Sequence, residues 1–339
     1  MTVQVGVIGV GGMGACHARH ITELAGAELG WIADPDEATG AALGADFDCE
    51  WIADGMDKIG PKAGGAVDCD AVVIACPDRF HHRYVMAALE RGLPILAEKP
   101  LTVELQDARE IVEAEVAHGR RFVQLGFMRV YDDRHVQVAA ALSRIGRPLH
   151  IRAVHRNTND GSRTVGQMLV ESIIHDIHTV RWLSGQEIVS VATSVVPGGA
   201  GTRMILVTCR LADGAIAVLE FDDIATGYEV SVEVTAERGN VIAAEPLRAA
   251  VRTDGMVTGE IGDDWFTPFL DTYRVEMRDF VSSVEAGASC GPSAWDGYAA
   301  QAVVEAATAS AVADGAPKAV ELSATPSLYI SGNEGRARS

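Results

Sequence analysis

The sequence predicts an α/β protein, with an N-terminal doubly wound parallel sheet and a C-terminal α/β domain whose open sheet is largely antiparallel. Three observations carry this expectation. Short apolar runs alternate with helical patterns through the first third of the chain, strand-like stretches follow one another directly between 189 and 236, and a glycine-rich turn separates the first apolar run from the first helix. Strands that alternate with helices form right-handed crossovers and a parallel sheet. Strands without intervening helices pair antiparallel.

The elements follow in order. Val3 to Ile8 is an apolar run ending at Gly9, and similar runs recur at Leu29 to Ala33, Ala71 to Cys76, Pro94 to Ala97 and Phe122 to Leu125. Apolar runs this short read as strands buried on both faces. Phe80, Tyr84, Ala88 and Arg91 fall on one side of a helix that Gly92 ends; Thr102 is placed to cap the helix carrying Leu105, Ala108, Ile111 and Val112, which Gly119 closes. Beyond about residue 125 the rhythm changes. A helix at 133–144 and a strand at 149–155 lead through a polar loop to a helix at 167–183. Strands then follow at 189–196, 204–211, 215–221 and 228–236, the last alternating Val230, Val232 and Val234. Helices close the chain at 269–286 and 295–314, the second with a capping box at Ser293 and Asp296. This gives a first domain over 1–122, a second over 123–322 and a loose tail over 323–339, in keeping with a length of 339 residues.

Composition narrows the function. With 28 Lys+Arg against 47 Asp+Glu the net charge is −19, which disfavours phosphate backbones and anionic lipid surfaces; neither nucleic acid nor membrane is an expected partner. No apolar run approaches the ~18 residues of a membrane span, and no basic segment precedes the first strand. Six cysteines (16, 49, 69, 76, 209 and 290) are scattered without a CxxC pair. They read as reduced thiols of a cytoplasmic protein.

Gly9-Val10-Gly11-Gly12-Met13-Gly14 fits the GxGxxG pattern, a weak match alone in a chain with 35 glycines. Its place after a strand and at the start of a helix strengthens it. Gly9 permits the tight turn, Gly11 lets backbone approach a pyrophosphate, and Gly14 lets helix and strand pack closely, while the helix N-terminus offers N–H groups to phosphate. Asp34 ends the second strand, where a carboxylate accepts hydrogen bonds from ribose hydroxyls and repels a 2′-phosphate. NAD is therefore expected over NADP; the alternative for Asp34 is a helix cap before Pro35. Lys99, in Glu98-Lys99-Pro100 after the strand at 94–97, would face the cofactor crevice at the carboxyl end of a parallel strand, or else be a solvated surface lysine.

The glycine turn, Ala97-Glu98-Lys99-Pro100-Leu101 and Ile174-His175-Asp176-Ile177-His178 with Trp182-Leu183 resemble the Gfo/Idh/MocA oxidoreductase family over residues 3–322. Gly126-Phe127-Met128-Arg129 and Gly291-Pro292-Ser293-Ala294-Trp295-Asp296-Gly297-Tyr298 resemble its inositol 2-dehydrogenase branch. The resemblance implies a Rossmann domain, a second domain that builds homotetramers, and a catalytic set mapping to Lys99, Glu171 and His175. It also implies cofactor contacts near Pro77, His81, Glu98 and Lys99, with Met13 and Gly12 in the glycine turn. Substrate contacts map to His155, Asn157, Ser172, His178 and Tyr228. Loop hydrogen bonding is the alternative for His155 and Asn157, and sheet packing for Tyr228. Two residues depart from the branch pattern: Glu171 and His178 stand where it carries Asp, so the polyol pocket is not identical.

At α-helical spacing Glu171, His175 and His178 share one face. A core histidine satisfied by Glu171, or a metal site of two His and a carboxylate, are the alternatives; no metal is expected. Oxidation of a secondary alcohol needs a base for the hydroxyl proton, which suits His175, and a cation for the developing alkoxide, which suits Lys99. The expectation is NAD-dependent oxidation of a ring hydroxyl of a cyclitol. A sugar, anhydrosugar or glycoside dehydrogenase, and a non-catalytic NAD(H) sensor, are the alternatives.

Overall fold

The structure is a computed structural model and describes residues 2–60, 68–199, 201–244, 250–259 and 261–330. In chain order the first elements are β1 (Val3–Ile8), α1 (Gly12–Glu23), β2 (Ala27–Ala33), α2 (Glu37–Phe47), β3 (Glu50–Ile52), α3 (Met56–Ile59), β4 (Ala71–Ile74), α4 (His81–Glu90), β5 (Ile95–Ala97), α5 (Leu105–His118) and β6 (Val123–Leu125). Then come α6 (Asp133–Ile145), β7 (Pro148–Thr158), α7 (Val165–Met168), a π-helical turn over Leu169–Ile173, and α8 (Ile174–Ser184). The sheet strands β8 (Ile188–Pro197), β9 (Thr202–Leu211), β10 (Ile216–Asp222), β11 (Ile224–Ala236) and β12 (Gly239–Ala243) follow, with a small hairpin of β13 (Ala250–Thr253) and β14 (Met256–Gly259). The last elements among the described residues are α9 (Leu270–Ala286), α10 (Ala294–Val312), β15 (Lys318–Ala319) and α11 (Ser327–Ile330).

Contacts divide the chain into two compact units. Among the described residues, one takes the chain up to Met128 with Asp271–Tyr298 and residues 324–330; the other takes Arg129–Leu270 and Ala299–Ser323. This differs from the division at 122 and 322 because α9 returns to the first unit. Its Met277, Phe280 and Val281 pack in one core with Val5, Val7, Ile21, Ile32 and Val73. The wholly buried strand β4 and the core side of β1 join the same cluster, which is why those runs contain almost no polar residue.

The first unit holds a six-stranded parallel sheet in the order β3-β2-β1-β4-β5-β6. All the expected strands are present. β3, which the sequence did not announce, is three residues long and only half-buried, so it lacks an apolar run. The order reverses between β1 and β4, and a parallel sheet presents the carboxyl ends of its strands along one edge. Gly9, Asp34, Ala75 and Glu98 all directly follow or lie just beyond such ends. Gly119 ends α5 in the left-handed region (φ 68°) as expected. Thr102 does not cap that helix: Glu104 is the cap residue, and the Thr102 hydroxyl donates to the Glu104 carbonyl at 2.7 Å.

The second unit holds a seven-stranded sheet in the order β12-β11-β7-β10-β9-β8-β15. Its pairs are antiparallel except β7 with β10, so the sheet is mixed but largely antiparallel. The helix expected at 167–183 is present, interrupted by the π turn. The capping box at the start of α10 is formed, Ser293 Oγ accepting from Asp296 N at 3.3 Å and Asp296 Oδ2 from Ser293 N at 2.8 Å.

The expected loose tail is corrected in part. α11 brings Tyr329 to 5% exposure, stacked 6.2 Å from Trp295, with its hydroxyl donating to Glu115 Oε2 at 2.6 Å. Residues 331–339 lie outside the described residues. The other Glu115 oxygen accepts the Phe122 and Val123 N–H groups, so this buried carboxyl links α5, β6 and the chain end. Tyr329→Phe strands one buried acceptor and is expected to lower unfolding free energy by about 1–3 kcal/mol in urea titration; an unchanged midpoint would show that the tail contact carries no stability.

Candidate active site

The cofactor half is built at the carboxyl edge of the parallel sheet. Gly9 lies at φ 85°, and a Cβ there would meet the Cys76 backbone at 2.5 Å. A Cβ on Gly14 would fall 1.8 Å from the Gly9 carbonyl oxygen, so this helix–strand approach admits glycine alone. Gly11 and Gly12 face open space on the side where a Cβ would project, and Gly11 caps α1 without a side chain. Met13 is half-buried in the first turn of the helix. This cradle leaves room for a pyrophosphate at a helix N-terminus, the fit a dinucleotide requires. Asp34 Oδ2 accepts from Val10 N and Oδ1 from Asp36 N, both at 2.9 Å, which aims a half-buried carboxylate across the turn. The helix-cap alternative for Asp34 does not hold, since Asp36 caps α2.

At the ends of β4 and β5 lie Pro77, His81 and Glu98, the expected cofactor contacts. Pro77 is exposed and opens a short 3₁₀ turn, Asp78–Phe80. His81, expected at the cofactor, is fully buried, with Nδ1 2.7 Å from the Pro100 carbonyl and Nε2 2.8 Å from the Cys76 carbonyl. Both ring nitrogens lie within hydrogen-bond distance of a backbone carbonyl. Glu98, also expected there, turns its Oε1 to His17 Nε2 at 2.8 Å, while Oε2 accepts the Lys99 N–H at 3.3 Å. Burial works against ionisation of Glu98, but the His17 hydrogen bond and charge, then Lys99, hold its carboxyl below the usual range. Lys99 is half-buried and its peptide to Pro100 is cis.

A second buried acid stands close by. Glu276 of α9 is 0% exposed, and neither carboxyl oxygen has a hydrogen-bond partner among the described residues. Burial, then the charges of Glu98 and Asp279, push its carboxyl well above the ordinary range, which favours its neutral form.

In the second unit Glu171 lies within the π turn, whereas His175 and His178 lie on α8. His175 and His178 are buried at 9% and 3%, whereas the Glu171 side chain is 48% exposed and pairs with Arg163 at 3.1 Å. A carboxylate paired with a guanidinium and facing solvent is a poor third ligand, which weakens the metal alternative. Arg163 also donates to Ser172 Oγ at 3.3 Å and pairs with the fully buried Asp223. Asn157 Nδ2 donates to the same Ser172 hydroxyl at 3.4 Å. Asn157, Ser172, Arg163 and Glu171 thus form one polar cluster.

His155 belongs to a different group. It is 5% exposed, its Nδ1 is 3.2 Å from Asp176 Oδ2, and its ring meets Phe221 and Tyr228 edge-on at 5.0 and 5.9 Å. Burial pushes its imidazole below the usual range, opposed by Asp176. Tyr228 is 7% exposed and sits in the same aromatic contacts. Asp176 also takes the Arg129 guanidinium at 2.5 Å. Burial raises the Asp176 carboxyl, but Arg129 and then His155 outweigh it and hold it low. Sequence reasoning assigns no role to Arg129, Asp176 or His17, because the partner of each lies far away in sequence.

The fold and this edge define a two-domain α/β protein with an NAD-binding Rossmann domain. Family models match residues 3–127 as the oxidoreductase family with an NAD-binding Rossmann fold and residues 134–242 as the GFO/IDH/MocA C-terminal domain. The chain belongs to the Gfo/Idh/MocA family. It is 39% identical to inositol 2-dehydrogenase 1 of Saccharopolyspora erythraea, over 97% of this chain and 99% of that one. It is 35% identical to inositol 2-dehydrogenase of Agrobacterium fabrum, over 97% and 100%. Among solved structures, myo-inositol dehydrogenase from Lactobacillus casei in complex with NAD(H) and myo-inositol superposes with a TM-score of 0.89 at 30% identity, covering 97% of this chain and 100% of that one.

The neutral Glu276 sets a pH dependence. Above about pH 4.5 the unfolded chain releases a proton that the folded chain keeps, so stability falls by up to about 1.4 kcal/mol per pH unit until the folded group ionises. Glu276→Gln removes that slope. The stability of the variant relative to the parent is expected to rise between pH 5 and 8 in denaturant titrations; a constant difference would mean the carboxyl is already ionised in the fold.

Proposed function

We propose that this chain catalyses NAD-dependent oxidation of a secondary ring hydroxyl of a cyclitol of the inositol class. The observation that carries the reading is a built NAD cradle whose own sheet edge also bears Lys99, in a chain similar over nearly its whole length to inositol 2-dehydrogenases. NAD, when bound, accepts the hydrogen and electron pair from the carbinol carbon. The chain supplies the rest. His175 takes the hydroxyl proton as general base. Lys99 stabilises the developing alkoxide by charge and hydrogen bonding. Gly9, Gly11, Gly12, Met13 and Gly14 receive the phosphates, and Asp34 the ribose hydroxyls, for which its two oxygens retain lone pairs.

Among the substrate contacts, Asn157, Ser172 and His178 are assigned to ring hydroxyls, with Glu171 orienting them through the Arg163 cluster. His155 and Tyr228 are assigned to the wall behind them, since the His155 ring is held by Asp176. A cytoplasmic homotetramer completes the proposal; the six cysteines are free thiols, as a reducing compartment would leave them. Oxidation of a sugar or anhydrosugar is the competing reading, favoured by His178, which offers one donor and one acceptor where a carboxylate offers acceptors alone.

The test is NADH absorbance across inositol isomers, glucose, galactose, xylose and levoglucosan, with both NAD and NADP. The expected result is turnover on an inositol with NAD preferred, lost by at least ~10²-fold in Lys99→Met and in His175→Ala while NAD still binds. Turnover confined to a sugar would move the substrate class, and silence across the panel would favour the sensor.

A further inference from the structure

The turn that carries Lys99 is gripped by two fully buried imidazoles that have no part in the roles assigned above. His17 lies on α1, the helix whose N-terminus forms the glycine turn, and its Nε2–H donates to Glu98 Oε1 at 2.8 Å. Glu98 Oε2 in turn accepts the Lys99 N–H at 3.3 Å. On the other side, His81 spans from the Cys76 carbonyl at the end of β4 to the Pro100 carbonyl, at 2.8 and 2.7 Å. The intervening backbone is fixed as well, Glu98 N donating to Ile74 O at 2.8 Å and Gly126 N to Ala97 O at 2.7 Å.

We propose that His17 and His81 are positioning residues that register Lys99 against the cofactor-binding elements, His17 through the Glu98 side chain and His81 through the Pro100 carbonyl. The inference rests on the reading of Lys99 given above. Its logic is steric and electrostatic. A lysine side chain is long and rotamer-rich, and the backbone at its root sets where its ammonium can reach. His17 ties that root to the helix that receives the phosphates, and His81 ties it to the loop after β4. The His17 hydrogen bond also favours the ionised form of the half-buried Glu98 beside Lys99. The Tyr273 ring packs against His17 in a T-shaped contact, with ring centroids 6.2 Å apart. Displacing a reacting group by about 1 Å costs on the order of 10²-fold in rate.

The experiment compares His17→Phe, His17→Asn and His17→Gln. Phe removes the donor, Asn carries an amide too short to reach Glu98, and Gln places an amide N–H near the position of Nε2. Two readouts are taken: kcat with KM on the substrate found in the panel, and the ¹³C signal of reductively dimethylated Lys99. The chain has only four lysines, at 58, 62, 99 and 318, so Lys99→Arg assigns the line. NADH affinity by fluorescence is the control.

The expected result is a kcat lower by about 10²-fold in His17→Phe and His17→Asn, with NADH affinity retained and most of the rate recovered in His17→Gln. The Lys99 line should be narrow in the parent and the Gln variant, and broadened or split in the other two. His81→Phe should broaden the same line. Unchanged kcat and an unchanged line in both His17→Phe and His17→Asn would overturn the proposal. So would equal losses of kcat and NADH affinity in all three His17 variants, which would reduce His17 to a packing role. If Lys99→Met keeps full activity, the catalytic reading of Lys99 fails, while the ¹³C line still reports whether His17 fixes the side chain.

Discussion

The close approach of Gly14 to the Gly9 carbonyl is the constraint on which the first unit depends. No side chain fits between them, since even a Cβ would stand 1.8 Å from the oxygen. That contact lets α1 begin directly off the end of β1, at the point where the strand order reverses. Two consequences follow from one packing fact. The helix N-terminus faces outward over open space at Gly11 and Gly12, as a phosphate cradle must. The buried side of the same helix brings His17 onto Glu98, next to Lys99. The glycine turn thus organises both the cofactor seat and the lysine beside it.

Charge away from solvent in both units is handled by pairing or by neutralisation. The ionised forms of Glu98 and Asp176 are favoured because His17 in one case and Arg129 with His155 in the other outweigh the cost of burial. Glu276 has no such partner, and its neutral form is favoured. The Asp176 group lies on the same helix as His175 and His178, so the buried pair with Arg129 anchors the segment that carries the proposed base. The polar cluster around Arg163 is of a different kind. It is partly open, and it joins the Asn157 and Ser172 side chains to Glu171, which suits a wall that meets hydroxyl groups.

Much of this was legible in the chain itself. The parallel strands read clearly because burial on both faces forces unbroken apolar runs, and the glycine spacing reads because sterics at Gly9 and Gly14 tolerate nothing else. Asp34 and Lys99 follow from strand ends once the sheet is known to be parallel. The π turn at Leu169–Ile173 was not legible, because it has no residue signature. Partners far apart in sequence were equally hidden. Arg129 meets Asp176 across 47 residues, His17 meets Glu98 across 81, and Tyr329 meets Glu115 across 214. His81 shows the limit of motif reading in another way. Its place near the nicotinamide loop was anticipated, but its ring lies within hydrogen-bond distance of two carbonyl groups that local sequence does not reveal.

The central claim is direct transfer from a ring carbon of a cyclitol to the nicotinamide. Incubation of the protein with NAD and myo-inositol deuterated at its axial carbinol carbon, followed by mass and NMR analysis of the reduced nucleotide, measures that step itself. The account expects NADH carrying one deuterium at nicotinamide C4, together with an inosose. NADH formed without label would place the oxidation at another carbon, and absence of reduced nucleotide with this and the other inositol isomers would contradict the account.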